Sequence, residues 1–214
     1  FSRSEEPAVW TQWRGPERDG ILRHAAPWPK ELSEANFKKI WSIADLGPSY
    51  SGPIIAPDRV FTTATVKGAT EVVTAHDRAT GKELWKAEWP GAMSVPFFAW
   101  SNGSWIRATP AYDGESLYVA GMRDVLVCLE AATGKERWRE DFVKELKSPL
   151  PSFGFVSSPL ISGDHVYVQA GSGFIKLEKA TGKIVWRVLD DGGGMYGSAF
   201  SSPVLKKFAG QEQL

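Results

Sequence analysis

Nearly the same eleven residues occur three times in this chain, at positions 75–85, 128–138 and 176–186. Each copy contains the tetrad Ala-Thr-Gly-Lys and ends on a tryptophan, and the three tryptophans are separated by 53 and 48 residues. A repeat with this spacing predicts a stacked array of similar units. A residue that recurs in every unit is more often part of the packing than of a single catalytic centre.

Each repeat contains four short runs rich in β-branched and aromatic residues, separated by Asp, Gly and Pro. Four antiparallel strands within about 40–55 residues are typical of a β-propeller blade. A helical repeat would need apolar residues at i, i+3 and i+4 over about ten positions, and no stretch after residue 50 has this pattern. We therefore predict an all-β protein, a β-propeller of four-stranded antiparallel blades.

Local geometry explains why the tetrad recurs. Its glycine is free to take a positive φ in a tight turn, and the acidic residue before it can accept hydrogen bonds from turn amides. The tryptophan on the outer strand is expected to pack flat on the neighbouring blade, with its indole N–H on a backbone carbonyl. The predicted docking residues are Asp77, Gly81, Trp85, Glu130, Gly134, Trp138, Glu178, Gly182 and Trp186.

The pattern Asp-x-x-Thr-Gly-Lys-x-x-Trp, preceded by a small residue, resembles the tryptophan-docking motif of pyrroloquinoline-quinone-like (PQQ-like) β-propellers. The resemblance covers about residues 37–214, and residues 10–20 look like the start of many secreted bacterial members. That superfamily includes quinoprotein alcohol dehydrogenases and non-catalytic members such as the propeller lipoprotein of the outer-membrane barrel-assembly machinery. The third copy departs from the motif, since Lys176 stands where a small residue is usual, and we expect one looser contact between blades.

The repeats also predict how the chain is divided. The expected units are an N-terminal extension at 1–36, an outer strand at 37–43, blades at 51–89, 107–142 and 157–189, and the start of a further blade at 201–214. About three full blades make an incomplete ring. Because a propeller closes to bury its strand edges, the rest of a longer chain or a second copy is expected to complete it.

Composition excludes several classes of function. The chain has 25 basic and 25 acidic residues, so no net charge would attract nucleic acid, and no apolar run approaches the ~20 residues of a membrane span. The three histidines lie far apart and predict no metal site, and His76 is expected at the surface. The single Cys128 excludes an internal disulfide and is expected to be a buried small apolar residue. A periplasmic or secreted location is implied by the family resemblance.

Propeller ligands bind near the central axis, at the loops that lead into the innermost strands. An arginine beside aromatic rings there could hold an anionic or planar ligand, or could simply be solvated or paired with an acid. The long connection 89–105 is uncharged and aromatic, so it either folds over the propeller or forms a contact surface for a protein partner or small ligand. The candidate binding residues are Tyr50, Trp100, Trp105, Arg107 and Tyr196.

The chain lacks the residues that the catalytic branch of the family would require. That branch uses a vicinal cysteine pair, a calcium ion held by acidic and amide side chains, and an aspartate base, whereas this chain has one cysteine and no such set at its axial loops. We therefore predict no catalytic residues, no cofactor, and a binding or scaffold module of a bacterial cell envelope. The alternatives are a PQQ- and calcium-dependent oxidoreductase whose catalytic residues lie outside this chain, and the sensor domain of a larger enzyme.

Overall fold

The structure is a computed structural model that describes residues 8–23, 29–31, 33–91, 93–195 and 200–214. Its strands are β1 Ile54–Ile55, β2 Arg59–Val66, β3 Thr70–Asp77, β4 Glu83–Pro90, β5 Ala111–Tyr112, β6 Ser116–Gly121, β7 Val125–Glu130, β8 Glu136–Asp141, β9 Leu160–Ser162, β10 His165–Ala170, β11 Gly173–Glu178, β12 Ile184–Val188, β13 Lys206–Phe208 and β14 Gln211–Gln213. A 3₁₀ helix at Phe97–Asn102 and helix α1 at Phe142–Leu146 lie in connections between sheets. No helix in the described part of the chain is long and apolar enough to cross a membrane.

The strands form three antiparallel sheets of four, in the orders β1–β4, β5–β8 and β9–β12, and one hairpin of β13 with β14. Each sheet is one blade, with its first strand innermost and its fourth strand outermost. The predicted all-β propeller of four-stranded blades is therefore confirmed. The described residues make an arc of three blades, followed by a hairpin where a further blade begins.

The hydrophobic core lies between the blades. In the first seam, Phe61 and Val73 of blade one pack with Leu117 and Val127 of blade two. The second seam is built in the same way from Tyr118, Leu126, Cys128, Val166, Val168, Ile175 and Leu177. Cys128 is buried there, as predicted, and burial raises the pKa of its thiol to about 11.

Two of the repeated tryptophans, Trp85 and Trp138, join one blade to the next. The indole N–H of Trp85 donates to the carbonyl of Ala131 at 3.0 Å, and its ring lies on Gly134, where an added methyl group would stand 2.5 Å from Cε3. The glycine has a φ of +75°, and because it has no side chain, the ring can rest directly on its backbone. The same arrangement is made by Trp138 with Lys179 and Gly182, and by Trp41 with Arg78 and Gly81.

The threonine of each tetrad fixes the turn that receives the tryptophan. The carboxylate of Asp77 accepts both the amide of Thr80 at 2.8 Å and its hydroxyl at 2.6 Å. In the third copy Thr181 donates its hydroxyl to Glu178 at 2.8 Å. The acid and the threonine therefore close the turn together, and the glycine is held in position for the ring.

Two expectations about the first blade were wrong. Residues 37–43 form no strand, because no neighbouring strand among the described residues pairs with them, although Trp41 still rests on Gly81. His76 is buried rather than at the surface, and its Nε2 lies 3.2 Å from the hydroxyl of Thr62. The burial follows from its place on β3, whose central residues are all covered.

Candidate functional site

A chain of hydrogen bonds links the blades where their innermost strands begin. The amide of Gly52 donates to the hydroxyl of Thr109 at 3.1 Å, and the amide of Thr109 donates to the hydroxyl of Ser158 at 3.0 Å. The amide of Ser158 in turn donates to the hydroxyl of Ser202 at 2.9 Å. Each of these residues precedes a proline at the same position of its blade. The axial hydroxyls therefore accept the hydrogen bonds that join one blade to the next.

The N-terminal segment lies across the inner edges of the blades, along the axis. Three equivalent amides, those of Ile55, Tyr112 and Ile161, donate to successive groups of this segment. Their acceptors are the carbonyl of Trp10, the carbonyl of Thr11 and the side-chain oxygen of Gln12. These residues belong to the predicted N-terminal extension at 1–36, for which the sequence indicated no contact with the blades. The segment is part of the axial packing because it satisfies strand edges that would otherwise lack partners.

Arg18 anchors this axial segment. Its side chain is buried, and its guanidinium donates to the carbonyls of Pro159 at 2.7 Å and Ser158 at 3.0 Å while stacking on the ring of Trp13. Burial lowers the pKa of Arg18 to about 10, but the group remains a cation at neutral pH. The repeat pattern could not identify Arg18, because this residue lies outside every copy of the repeat. The only sequence signal was the tryptophan-rich opening around it.

Three of the predicted binding residues meet beside the axis. The ring of Tyr50 lies 5.4 Å from that of Trp105, and the guanidinium of Arg107 lies 5.1 Å from the centre of the Tyr50 ring. Arg107 also donates to the carbonyl of Gly103 at 2.9 Å, and burial lowers its pKa. The cluster therefore holds the loop 102–107 to the segment before β1. Tyr196 lies outside the described residues.

Four aromatic side chains, three exposed and one partly buried (Phe153), form a row on one face of the propeller. The row consists of Phe97, Phe98, Phe153 and Phe200, and successive ring centres are 5.6, 6.2 and 5.5 Å apart. Phe97, Phe98 and Phe200 are 75, 57 and 65% exposed. All four lie in connections between successive blades, so we call this side the connection face. The connection 89–105 folds over the propeller in part, since Val95 and Ala99 are buried under the row while Phe97 and Phe98 stay exposed.

Trp100 stands at the edge of the same connection. It is exposed, and its indole N–H donates to the carbonyl of Val95 at 2.9 Å, which holds the ring in one orientation. Trp105 is different, because it is half-buried between Tyr50 and Gly103. The structure thus separates the two predicted tryptophans into a surface residue and a packing residue.

Similarity to a protein family identifies the group to which this chain belongs. A model of the PQQ-like family described as outer membrane protein assembly factor BamB matches residues 69–214. The chain belongs to this family. Among solved structures, a europium-containing methanol dehydrogenase is similar to it with a TM-score of 0.55 and 16% identity, over 86% of this chain and 32% of the other. BamB from Moraxella catarrhalis is similar with a TM-score of 0.43 and 16% identity, over 67% of this chain and 36% of that protein.

One curated relative is a serine/threonine-protein kinase, AfsK of Streptomyces griseus. It is 28% identical over 159 residues, which are 72% of this chain and 18% of the kinase. This chain therefore spans less than a fifth of the length of that relative. Its similarity to the dehydrogenase, at 16% identity, is a similarity of fold.

The described residues of this PQQ-like propeller do not fit a quinone–calcium centre on the axis. Such a centre needs cationic side chains that are free to bind the quinone carboxylates, whereas Arg18 already donates its hydrogen bonds to backbone carbonyls. The axial hydroxyls accept hydrogen bonds from the amides of neighbouring blades, and residues 10–12 pair with the inner strand edges. Among the described residues no three of histidine, cysteine, aspartate and glutamate gather closely enough to hold a metal ion.

Sequence reasoning also missed a buried acid in each seam. Glu71 accepts the indole N–H of Trp89 at 2.7 Å and the amide of Met122, which begins the β6–β7 hairpin of the next blade. Asp124 accepts the amide of Gly171, at the equivalent hairpin of the blade after that, at 2.8 Å. Burial raises the pKa of each carboxyl to about 7. No motif could have revealed them, because their partners lie about fifty residues away on another blade.

Proposed function

We propose that this chain is a non-catalytic PQQ-like propeller that acts as a protein-binding module in a bacterial cell envelope. The observation that carries the proposal is the exposed aromatic row on the connection face. A soluble protein seldom leaves several neighbouring phenylalanines open to water unless another surface covers them. Aromatic side chains supply much of the binding energy in protein interfaces, and this row offers them as one continuous strip.

The arrangement of the axis supports a binding role over an axial reaction. The chain's own residues 10–12 and Arg18 fill the inner edges of the blades, where a propeller enzyme would place its cofactor. The family description, an outer membrane protein assembly factor, also names a protein that works with other proteins. A periplasmic or envelope location is part of the same proposal and has the same support.

Site-specific crosslinking tests this proposal. A photoreactive phenylalanine analogue replaces Phe98, which is 57% exposed on the row, or Leu84, which is 46% exposed on the outer strand β4. We expect a discrete crosslinked product from position 98 in envelope preparations and none from position 84. The double variant Phe97→Ser and Phe200→Ser should prevent that product while leaving the melting temperature unchanged, because both side chains are exposed. Equal products from the two positions, or none from position 98, would contradict the proposal.

A second candidate is the sensor or docking domain of a larger enzyme. It is favoured by the match to a serine/threonine-protein kinase, over 72% of this chain. Sequencing the complete transcript decides it, since an adjoining kinase domain in the same reading frame would support it and an uninterrupted propeller would exclude it.

The quinoprotein alternative is tested by titrating PQQ, with and without calcium, while following tryptophan fluorescence. A flat titration agrees with the filled axis. Saturable quenching at micromolar quinone would favour an oxidoreductase.

A further inference from the structure

Glu71 lies at the base of the connection that carries Phe97 and Phe98. Its side chain is fully buried on strand β3 of blade one. One carboxyl oxygen accepts the indole N–H of Trp89, the first residue of the connection 89–105, at 2.7 Å. The other oxygen accepts the amide of Met122, at the β6–β7 hairpin of blade two. A single buried carboxyl group therefore joins the start of the connection to the next blade.

The Met122 side chain supports the aromatic row from below. It belongs to one buried cluster with Val95 and Ala99 of the connection, and Phe153 packs against this cluster. The ring of Phe153 lies 6.2 Å from that of Phe98. Holding the amide of Met122 in place therefore also holds the floor on which two connections bring their phenylalanines together.

Two glycines let the backbone come close to this carboxyl group. A methyl group added to Gly91 or to Gly121 would collide with the side chain of Glu71. Gly91 lies in the connection, and its amide donates to the carbonyl of Ala69 at 3.0 Å. Because the connection and the next blade both press on Glu71, a displaced carboxyl group would displace the connection as well.

The carboxyl group is held by hydrogen bonds rather than by a direct ion pair. Within the described chain, the charged group that acts on it is Arg139 of β8, which lies over the Trp89 ring at 5.2 Å and pairs with Glu136 at 2.7 Å. Burial outweighs this attraction and raises the pKa of Glu71 to about 7. An open connection would expose Glu71 to water, so the closed form is stabilised at low pH and loses that stabilisation as the pH rises through 7.

We propose that Glu71 is the positioning residue of the aromatic row. It does not touch a partner, but it holds the connection 89–105 and the β6–β7 hairpin in one arrangement, so that Phe98 and Phe153 form a single strip. Two N–H donors converge on this side chain, which favours a carboxyl group, because a glutamine offers one oxygen and an N–H₂ group that cannot accept. The role rests on the protein-binding function proposed above, whose surface it aligns.

Hydrogen exchange in the whole chain tests this role with Glu71→Gln, which keeps the shape of the side chain. The amides of Gly91 and Ala99 report on the connection, since they donate to the carbonyls of Ala69 and Pro96. At pH 6 both should exchange at least about tenfold faster in Glu71→Gln, because one donor loses its acceptor. Between pH 6 and 8, exchange corrected for its intrinsic pH dependence should accelerate about tenfold in the unaltered chain and stay nearly constant in Glu71→Gln.

Thr109→Val is the matched control, because it removes a hydrogen bond at the axis rather than beneath the row. It should keep the exchange of Gly91 and Ala99, and its response to pH, as they are in the unaltered chain. The proposal is overturned if Glu71→Gln leaves both amides protected, or if Thr109→Val exposes them equally.

The pH series keeps the proposal testable if Glu71→Gln does not fold. Exchange at Gly91 and Ala99 that accelerates in the unaltered chain between pH 6 and 8 supports the role, and unchanged exchange overturns it. The measurement needs no partner, so it decides the role of Glu71 even where crosslinking from position 98 refutes the proposed function.

Discussion

Replacing Gly134 by alanine should show how much the docking of one tryptophan contributes to the fold. Gly134 has a φ of +75°, and a methyl group there would stand 2.5 Å from Cε3 of Trp85. The left-handed backbone costs alanine about 1–2 kcal/mol. The methyl group also forces the ring off the glycine, so the hydrogen bond from Trp85 to Ala131 is lost, at about 1 kcal/mol. Lost packing between the blades adds about another 1–2 kcal/mol, which gives about 4 kcal/mol in total.

A matched glycine separates the two causes. Gly163 has a φ of +55° with nothing within 4 Å of the added methyl group, so Gly163→Ala carries the backbone cost without the collision. Thermal unfolding followed by circular dichroism should place Gly134→Ala about 5–10 °C below Gly163→Ala. Tryptophan fluorescence of Gly134→Ala should shift to longer wavelength as Trp85 meets water. Equal melting temperatures for the two variants would refute the reasoning, since the docked ring would then add nothing to the stability.

Three further outcomes are expected. Burial raises the pKa of Glu71 from 4.5 to about 7, so the folded state holds this proton more tightly than the unfolded state. The resulting stabilisation, about 3 kcal/mol, is present at low pH and is lost as the pH rises through 7, so urea midpoints should fall between pH 5 and 8. Glu71→Gln should reduce this fall by about half, because Asp124, whose pKa is also raised to about 7, contributes the rest. Thr109→Val keeps the shape but leaves the amide of Gly52 without its acceptor, which should lower the unfolding free energy by about 1–3 kcal/mol in urea titrations. Removing residues 1–20 should speed hydrogen exchange at the axial amides of Ile55 and Tyr112 by about a hundredfold. The amide of Val73, in the core, should keep its protection. Unchanged exchange at Ile55 and Tyr112 would contradict the axial placement of the segment.

The candidate site was predictable only in part. Tyr50, Trp105 and Arg107 were identified because they flank the starts of inner strands, and the structure does bring them into contact. The aromatic row was seen in part, since Phe97 and Phe98 share a loop with Trp100. Phe153 and Phe200 come from other connections, and nothing in the linear chain places them beside Phe98.

The sequence by itself determined the blade. Its four strands, the turn at Gly81 and the outer tryptophan follow from contacts between residues that are close in the chain, and such local chemistry repeats wherever the residues repeat. Only the tertiary structure decided what lies between and inside the blades. Arg18 reaches Pro159 from outside every repeat, and Asp124 of one blade accepts the amide of Gly171 in the next. These contacts exist because stacking the blades brings distant backbone groups together, and buried polar groups then take whichever partner the stack places within reach.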